Sequence, residues 1–292
     1  MQPKIGFIGF GEAAFNIAKG LIGEGVITVS AYDKFWNIPP QSELIHKRAT
    51  ESGVTLAASL KELVETSDIV ISAVSANIAV PLARESASYL KAGQIYVDLN
   101  SAGPDTKVAA NEIISPKALF VDVAVMGTVP GNGHKVPMLA SGAGAALFVE
   151  KMKPYGMNIT LLDGPAGKSS ASKMFRSIFM KGFIVLLLET VIAGHKYGIE
   201  DDVLASIEET LTAGPFIPIV NGMLTRGVIH SERREHEMDE VIATLKSLQV
   251  DSVMSEATKA KLRWCTDLNF KEYFKGVPPK DFHEIFAVIE NN

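Results

Sequence analysis

A doubly wound α/β sheet followed by an all-α domain is predicted for this chain by three features. Short β-rich runs alternate with helical periodicity over the first half, a glycine-bearing turn follows the first run directly, and beyond residue 169 helical patterns succeed one another without a strand. The length of 292 residues suffices for two domains of about 100–200 residues each. Their boundary is set where the cluster DGPAGKSS breaks the pattern, at 164–168, giving domains 1–165 and 166–292.

The β-rich runs fall at 4–8, 26–32, 54–56, 69–74, 95–98 and 120–125. Several end in, or are followed by, a small or polar residue, among them Gly9, Asp33, Ser75 and Asn100. Open α/β sheets bind ligands outside the carboxyl ends of their strands, so that edge is where chemistry is expected. After the boundary, Gly214, Pro215, Pro218, Pro278 and Pro279 punctuate successive helices. The densest apolar stretch, 178–193, is interrupted by Lys181 and Glu189, and its longest uncharged run, 182–188, is far short of the roughly 18 residues a membrane span requires. It is therefore expected to be a buried helix rather than a membrane anchor. A helix from about 170 to 195 that is apolar all round predicts a shared core or dimer interface, and hence a homodimer.

Composition narrows the partners. With 28 basic against 33 acidic residues and a net charge of -5, the chain has no basic excess for nucleic acid. The lone Cys265, beside Trp264, reads as core, and the six histidines lack metal-binding spacing, so no metal is expected. The opening MQPKIGFIGF has no charged-then-apolar signal layout, from which a cytoplasmic protein is expected.

Gly9, Gly11 and Ala14 in IGFIGFGEAAFNIAKGL hold the GxGxx(G/A) spacing between a strand and a helix, the Rossmann-type dinucleotide turn. Gly9 permits the tight turn, Gly11 removes a side chain that would block a diphosphate, and Ala14 lets helix and strand pack closely. Phe10, Glu12 and Ala13 complete the turn at the helix N-terminus, where phosphates are favoured. Glu12 is a further acid there, compensated by the helix dipole. Asp33, about twenty residues further on, is placed to accept hydrogen bonds from a ribose; Val74 ends the fourth run, and Ser75 and Asn100 follow the fourth and fifth. Asp33 would repel a 2′-phosphate and Lys34 beside it would partly neutralise one, so the cofactor is NAD or NADP with NAD preferred. Gly167, Lys168 and Ser169 mimic the end of a Walker loop, but its leading glycine is replaced by Leu162 and no βαβ unit follows. The segment reads instead as a turn capped by Ser169 or Ser170.

Four segments in order, GFIGFGEAA, DLNSAGPDT (98–106), FVDVAVMGTVPG (120–131) and GPAGKSSASKMF (164–175), resemble the β-hydroxyacid dehydrogenases and their relative 6-phosphogluconate dehydrogenase. The resemblance implies hydride transfer between a nicotinamide and the hydroxyl carbon of a small, hydroxy acid-like substrate. It implies Lys173 as the general acid/base, where the residues alone would suggest a solvated lysine, with Lys168 and Lys181 as competitors. Ser101 would stand near the substrate, although Gly103 and Pro104 also suit it to a plain turn. The family's Ser-Gly-Gly loop maps onto Met126, Gly127 and Thr128, of which only the glycine matches. The family asparagine one turn after the lysine is Ser177 here, whose reach is shorter, and Arg176 beside it faces an acid group or solvent.

Further on, the stripe Met238, Val241, Ile242, Leu245 and Leu248 turns polar toward Glu237, Arg234, Arg233 and His230. Arg234 is the candidate for gripping a substrate anion; the other reading is a solvated, self-paired helix start. This region resembles a little-characterised domain attached to 6-phosphogluconate-dehydrogenase-type nucleotide domains. Two other functions fit the altered pocket: imine reductase-like C=N reduction, and a catalytically silent dinucleotide sensor.

Overall fold

A strand covered on both faces is apolar throughout, and Ile5–Ile8 (β1) is buried at every residue. Around it the computed structural model, which describes residues 2–291, assembles Val29–Tyr32 (β2), Thr55–Leu56 (β3), Ile69–Ser72 (β4), Ile95–Asp98 (β5), Leu119–Val125 (β6), Met138–Ser141 (β7) and Ile159–Leu161 (β8). These form one sheet in the order β3-β2-β1-β4-β5-β6-β7-β8. All neighbours are parallel except β6 and β7. The order reverses between β1 and β4, and the crevice at such a reversal is the ligand edge of an open sheet. The first six strands match the runs expected from sequence. β7 and β8 were not foreseen: MLAS carries no β-branched residue, and ITL is a three-residue strand at the edge of the sheet.

Helices Glu12–Gly23 (α1), Gln41–Ser52 (α2), Leu60–Thr66 (α3), Ala79–Ala87 (α4), Pro104–Ile114 (α5) and Ala145–Met152 (α6) cover the sheet. Side chains alternate across a strand, so Phe7 joins a core with Ile17, Leu21 and Phe148, while its neighbour Ile8 joins one with Leu63, Ile114 and Phe120.

Lys168–Tyr197 (α7) is a single helix of 30 residues. Backbone contacts divide the chain within it, into units Met1–Ile178 and Phe179–Asn292, so the turn at 164–168 starts the helix and the compact units part further along. After α7 come Glu200–Thr212 (α8), Phe216–Ile229 (α9), Ser231–Ser247 (α10), Val253–Asp267 (α11), Phe270–Tyr273 (α12) and Glu284–Glu290 (α13). Fully buried apolar residues gather around Phe270, Ile285 and Val288, with Cys265 packed against them; Trp264, expected in the core, is exposed under the Lys261 ammonium.

The expectation that 178–193 is buried is corrected. Ile178 is 73%, Ile184 61% and Leu188 58% exposed, because a helix apolar on every side presents more surface than one set of neighbours can cover. By length and composition α7 could also cross a bilayer, alone among the unbroken helices of the described residues. Its Glu189 is buried and accepts hydrogen bonds from the Met254 and Ser255 amides and the Ser255 hydroxyl, capping α11.

Candidate active site

The turn after β1 depends on its glycines. Gly9 has φ +83°, and a Cβ there would lie 2.5 Å from the Ala73 carbonyl oxygen, so both conformation and space demand glycine. Gly11 begins α1 with no side-chain cap, and a Cβ built on it would meet nothing within 4 Å. Gly11 therefore opens onto free space at the positive end of the helix, next to the first-turn residues Glu12 and Ala13, a cradle that suits a diphosphate. Glu12 is exposed in that turn, where an acid is favourable to the helix itself.

Asp33 holds the turn from β2. Its carboxylate accepts the Phe10 amide at 2.9 Å and the Phe35 amide at 3.0 Å, and a carboxylate retains further lone pairs for ribose hydroxyls. Lys34 is exposed, with its ammonium 4.7 Å from the centre of the Phe35 ring. Gly11, Asp33, Lys34, Val74, Ser75 and Glu85 help to line a cavity of about 510 Å³ at the β1/β4 reversal. Asn100 is buried and reaches across from the end of β5: its side chain accepts the Val74 amide at 2.6 Å and donates to the Ser72 hydroxyl at 3.0 Å. It thereby shapes the cavity wall without lining it.

A second constellation lies at the ends of β5 and β6. The ammonium of half-buried Lys173, on the second turn of α7, donates to the Ser101 hydroxyl at 3.3 Å. Burial, and after it the nearby Lys107 charge, holds the Lys173 ammonium below the usual lysine range. The competitors are placed otherwise: Lys168 donates to the Asp163 carbonyl at 2.5 Å in the turn, and Lys181 is exposed. Ser177 donates its hydroxyl to the Lys173 carbonyl at 3.0 Å, so only its lone pairs are free to meet another group. Gly127 and Thr128 are exposed on the loop after β6, and Arg176 is exposed.

Arg234 belongs to the helical unit, half-buried beside Gly227 of α9. Along the same helix start, Arg233 pairs with Glu237 across one turn, both exposed, and His230 is exposed. Of the stripe expected to face inward, Ile242 and Leu245 are buried and Val241 is not.

Beneath Lys173 the structure reveals a network that the sequence reading passed over. Asp98 and Asp122 sit side by side in the β5/β6 register, both buried. Lys107 of α5, fully buried, donates to Asp98 Oδ1 and to the Asp98 carbonyl, both at 2.8 Å, with Asp122 Oδ1 at 3.4 Å. Asp122 in turn accepts the Gly167 and Ser170 amides at 3.1 and 3.0 Å and the Ser170 hydroxyl at 2.7 Å. The start of α7 is thus capped by a carboxylate from the sheet rather than by Ser169 or Ser170, because an ionised acceptor binds two helix amides more strongly than a hydroxyl. The signal was present: a charged residue inside the apolar strands IYVD and LFVDVAV must be paired.

Two family models match the chain. Residues 4–102 match "NADP oxidoreductase coenzyme F420-dependent" and residues 194–265 match a domain of unknown function (DUF1932). An uncharacterized 28.5 kDa protein of Methanothermus fervidus is 31% identical over 256 residues, 88% of this chain and 96% of that protein. Pyrroline-5-carboxylate reductase of Escherichia coli is 28% identical over 99 residues, 34% of this chain and 36% of that enzyme. Among solved structures, the conserved protein MTH1747, described as similar to 3-hydroxyacid dehydrogenases, is 34% identical with a TM-score of 0.63, over 94% of this chain and 99% of that one. An imine reductase from Aspergillus terreus in complex with NADPH4 and dibenz[c,e]azepine shares the fold at 16% identity and a TM-score of 0.76, over the whole of both chains.

Proposed function

Because the chain belongs to the family of the Methanothermus fervidus 28.5 kDa protein, and because its own residues 4–102 match an NADP oxidoreductase model ahead of a domain of unknown function at 194–265, we propose that it moves hydride between a nicotinamide and the hydroxyl-bearing carbon of a small substrate. The Lys173–Ser101 pair carries this reading. The nicotinamide, when bound, gives or takes the hydride. The turn of Gly9 and Gly11 holds the diphosphate, and Asp33 accepts from the adenosine ribose. Lys173 takes the hydroxyl proton during oxidation and returns it to the alkoxide during reduction, while Ser101 orients the ammonium. The Asp33 carboxylate in the cofactor cavity favours NAD over the 2′-phosphate of NADP.

The similarity to an imine reductase supports C=N reduction as a second reading. Electrostatics favours the first: the Lys173 ammonium would repel a protonated iminium, whereas it stabilises an alkoxide. Turnover of hydroxy acids and of cyclic imines with NADH and NADPH separates the readings, and imine reduction alone would discard the alcohol chemistry. If Lys173 serves as stated, reduction falls as pH rises through its lowered range, because the proton donor is lost, and oxidation rises over the same interval. A pH-independent rate in both directions removes Lys173 from the proton transfer.

We propose further that the chain forms a homodimer through α7, on the support of the exposed apolar side chains of Ile178, Ile184 and Leu188.

A further inference from the structure

Neighbouring carboxylates on one face of a sheet repel each other, and a buried lysine without partners is costlier still. Asp98, Lys107 and Asp122 answer both demands together. The arrangement reaches further than charge balance, because each acid is also tied to a piece of the Lys173 site. Asp98 Oδ1 accepts the Asn100 amide at 2.9 Å, immediately before Ser101. Asp122 caps the helix that bears Lys173 through Gly167 and Ser170. The Ser141 hydroxyl accepts the Ser169 amide at 3.0 Å and lies 3.5 Å from Asp122 Oδ2, adding a second tie to the same helix start. Helix α5 is drawn close to α7 as well: a Cβ on Gly167 would lie 3.3 Å from the Pro104 carbonyl oxygen, at φ +96°.

We propose that Lys107 is a positioning residue for the Lys173–Ser101 pair: clasped between Asp98 and Asp122, it registers the Ser101 loop against the start of α7 and sets the balance of buried charge beside which Lys173 exchanges its proton. The assignment rests on the reading of Lys173 as the proton-transfer group, but its geometry stands apart from any substrate. Charged residues on the elements around Lys173 are Asp105, Lys107 and Glu112 of α5, Asp98 of β5, Asp122 of β6, and Lys168 and Arg176 of α7 itself, followed further along by Lys181; Glu112 and Lys181 are exposed. Asp105, Lys168 and Arg176 are exposed, so solvent screens them, and Lys168 is turned to the Asp163 carbonyl. Lys107 is fully buried, so its charge is offset by Asp98 and Asp122 and not by water.

The test follows the proton rather than turnover. Trace acetic anhydride labels neutral amines, so its incorporation at Lys173 across pH, measured by mass spectrometry on the full chain against exposed Lys47, reports the titration of Lys173. In wild type, Lys173 should titrate below Lys47. Lys107→Met removes the like charge and leaves two acids facing the site, so the Lys173 titration should move up by roughly 0.5–1 pH unit, the scale of one partly screened charge at short range. Asp98→Asn preserves the shape of the Asp98 side chain and leaves Lys107 less neutralised, so it should move the titration of Lys173 down.

Opposite shifts support the assignment; a merely structural lesion would loosen the site and move both variants toward the Lys47 value. No shift, or shifts of the same sign, overturns it. Should Lys107→Met fail to fold, the sign in Asp98→Asn decides alone. Opposite shifts in a protein that turns over neither alcohols nor imines would leave this inference intact and defeat the hydride-transfer reading.

Discussion

The two units treat their apolar residues differently. The first buries Phe7, Leu21, Tyr96, Phe120 and Phe148 to 1% exposure or less, because a sheet with helices on both faces closes its own core. Among the described residues the second gathers one small buried cluster, around Phe270, Ile285 and Val288, and the long α7 leaves Ile184 and Leu188 more than half exposed. Chemistry that needs fixed donors is therefore assembled inside the first unit, where the cofactor turn, the Asp98–Lys107–Asp122 clasp and the Lys173–Ser101 pair rest on strand ends. The helical unit instead leaves apolar side chains of α7 exposed, the surface proposed above for a second copy.

The comparison breaks most visibly at Lys173. Lys173→Met should lower turnover by about 10²–10⁴-fold, the usual worth of a positioned acid/base, while calorimetric titration finds NADH affinity within about twofold of wild type, as expected when one interaction is absent from ground-state binding. A comparable loss of affinity would mean that the lysine serves the cofactor and not the proton. Next comes Gly11→Asp. Since a Cβ there meets nothing within 4 Å, the melting temperature should hold, while a carboxylate in the diphosphate cradle weakens NADH binding by about 100-fold, or ~2.7 kcal/mol. Unchanged binding would move the dinucleotide elsewhere.

In the helical unit the corresponding break is at α7. Introducing Ile184→Glu together with Leu188→Glu should convert a dimer to a monomer by light scattering, because two carboxylates per chain would be desolvated at the contact. A wild-type protein that already runs as a monomer would refute the dimer.

How much of this was legible follows from where each signal sits. Alternating apolar runs and the glycine spacing revealed the first six strands and the cofactor turn, since periodicity and φ > 0 are local properties. β7 escaped because MLAS has no β-branched residue, and both it and the edge strand ITL acquire their identity from the sheet they join. Lys173 was found only through family resemblance, as a lone helical lysine carries no local mark. Lys107 was missed for the same reason, although Asp98 and Asp122, acids within apolar strands, announced that a buried cation had to exist. The burial of α7 was misjudged because hydropathy tells which residues seek cover and not whether one chain provides it.

The smallest expected effect tests whether the polar end of α10 belongs with the first unit's chemistry or with the second unit's surface. Arg233 and Glu237 are exposed and pair with each other one turn apart, so their attraction is screened and partly offset by side-chain ordering. Arg233→Ala should change stability by less than about 0.5 kcal/mol, seen as a near-coincident denaturant midpoint, and should leave turnover unaltered. Half-buried Arg234 provides the contrast on the same helix. If Arg234→Ala raises KM with kcat preserved while Arg233→Ala does nothing, the helix offers one anion-binding group to the substrate. If both are inert, its polar start is a solvated terminus and substrate recognition rests with Ser101, Gly127, Thr128 and Ser177 in the first unit.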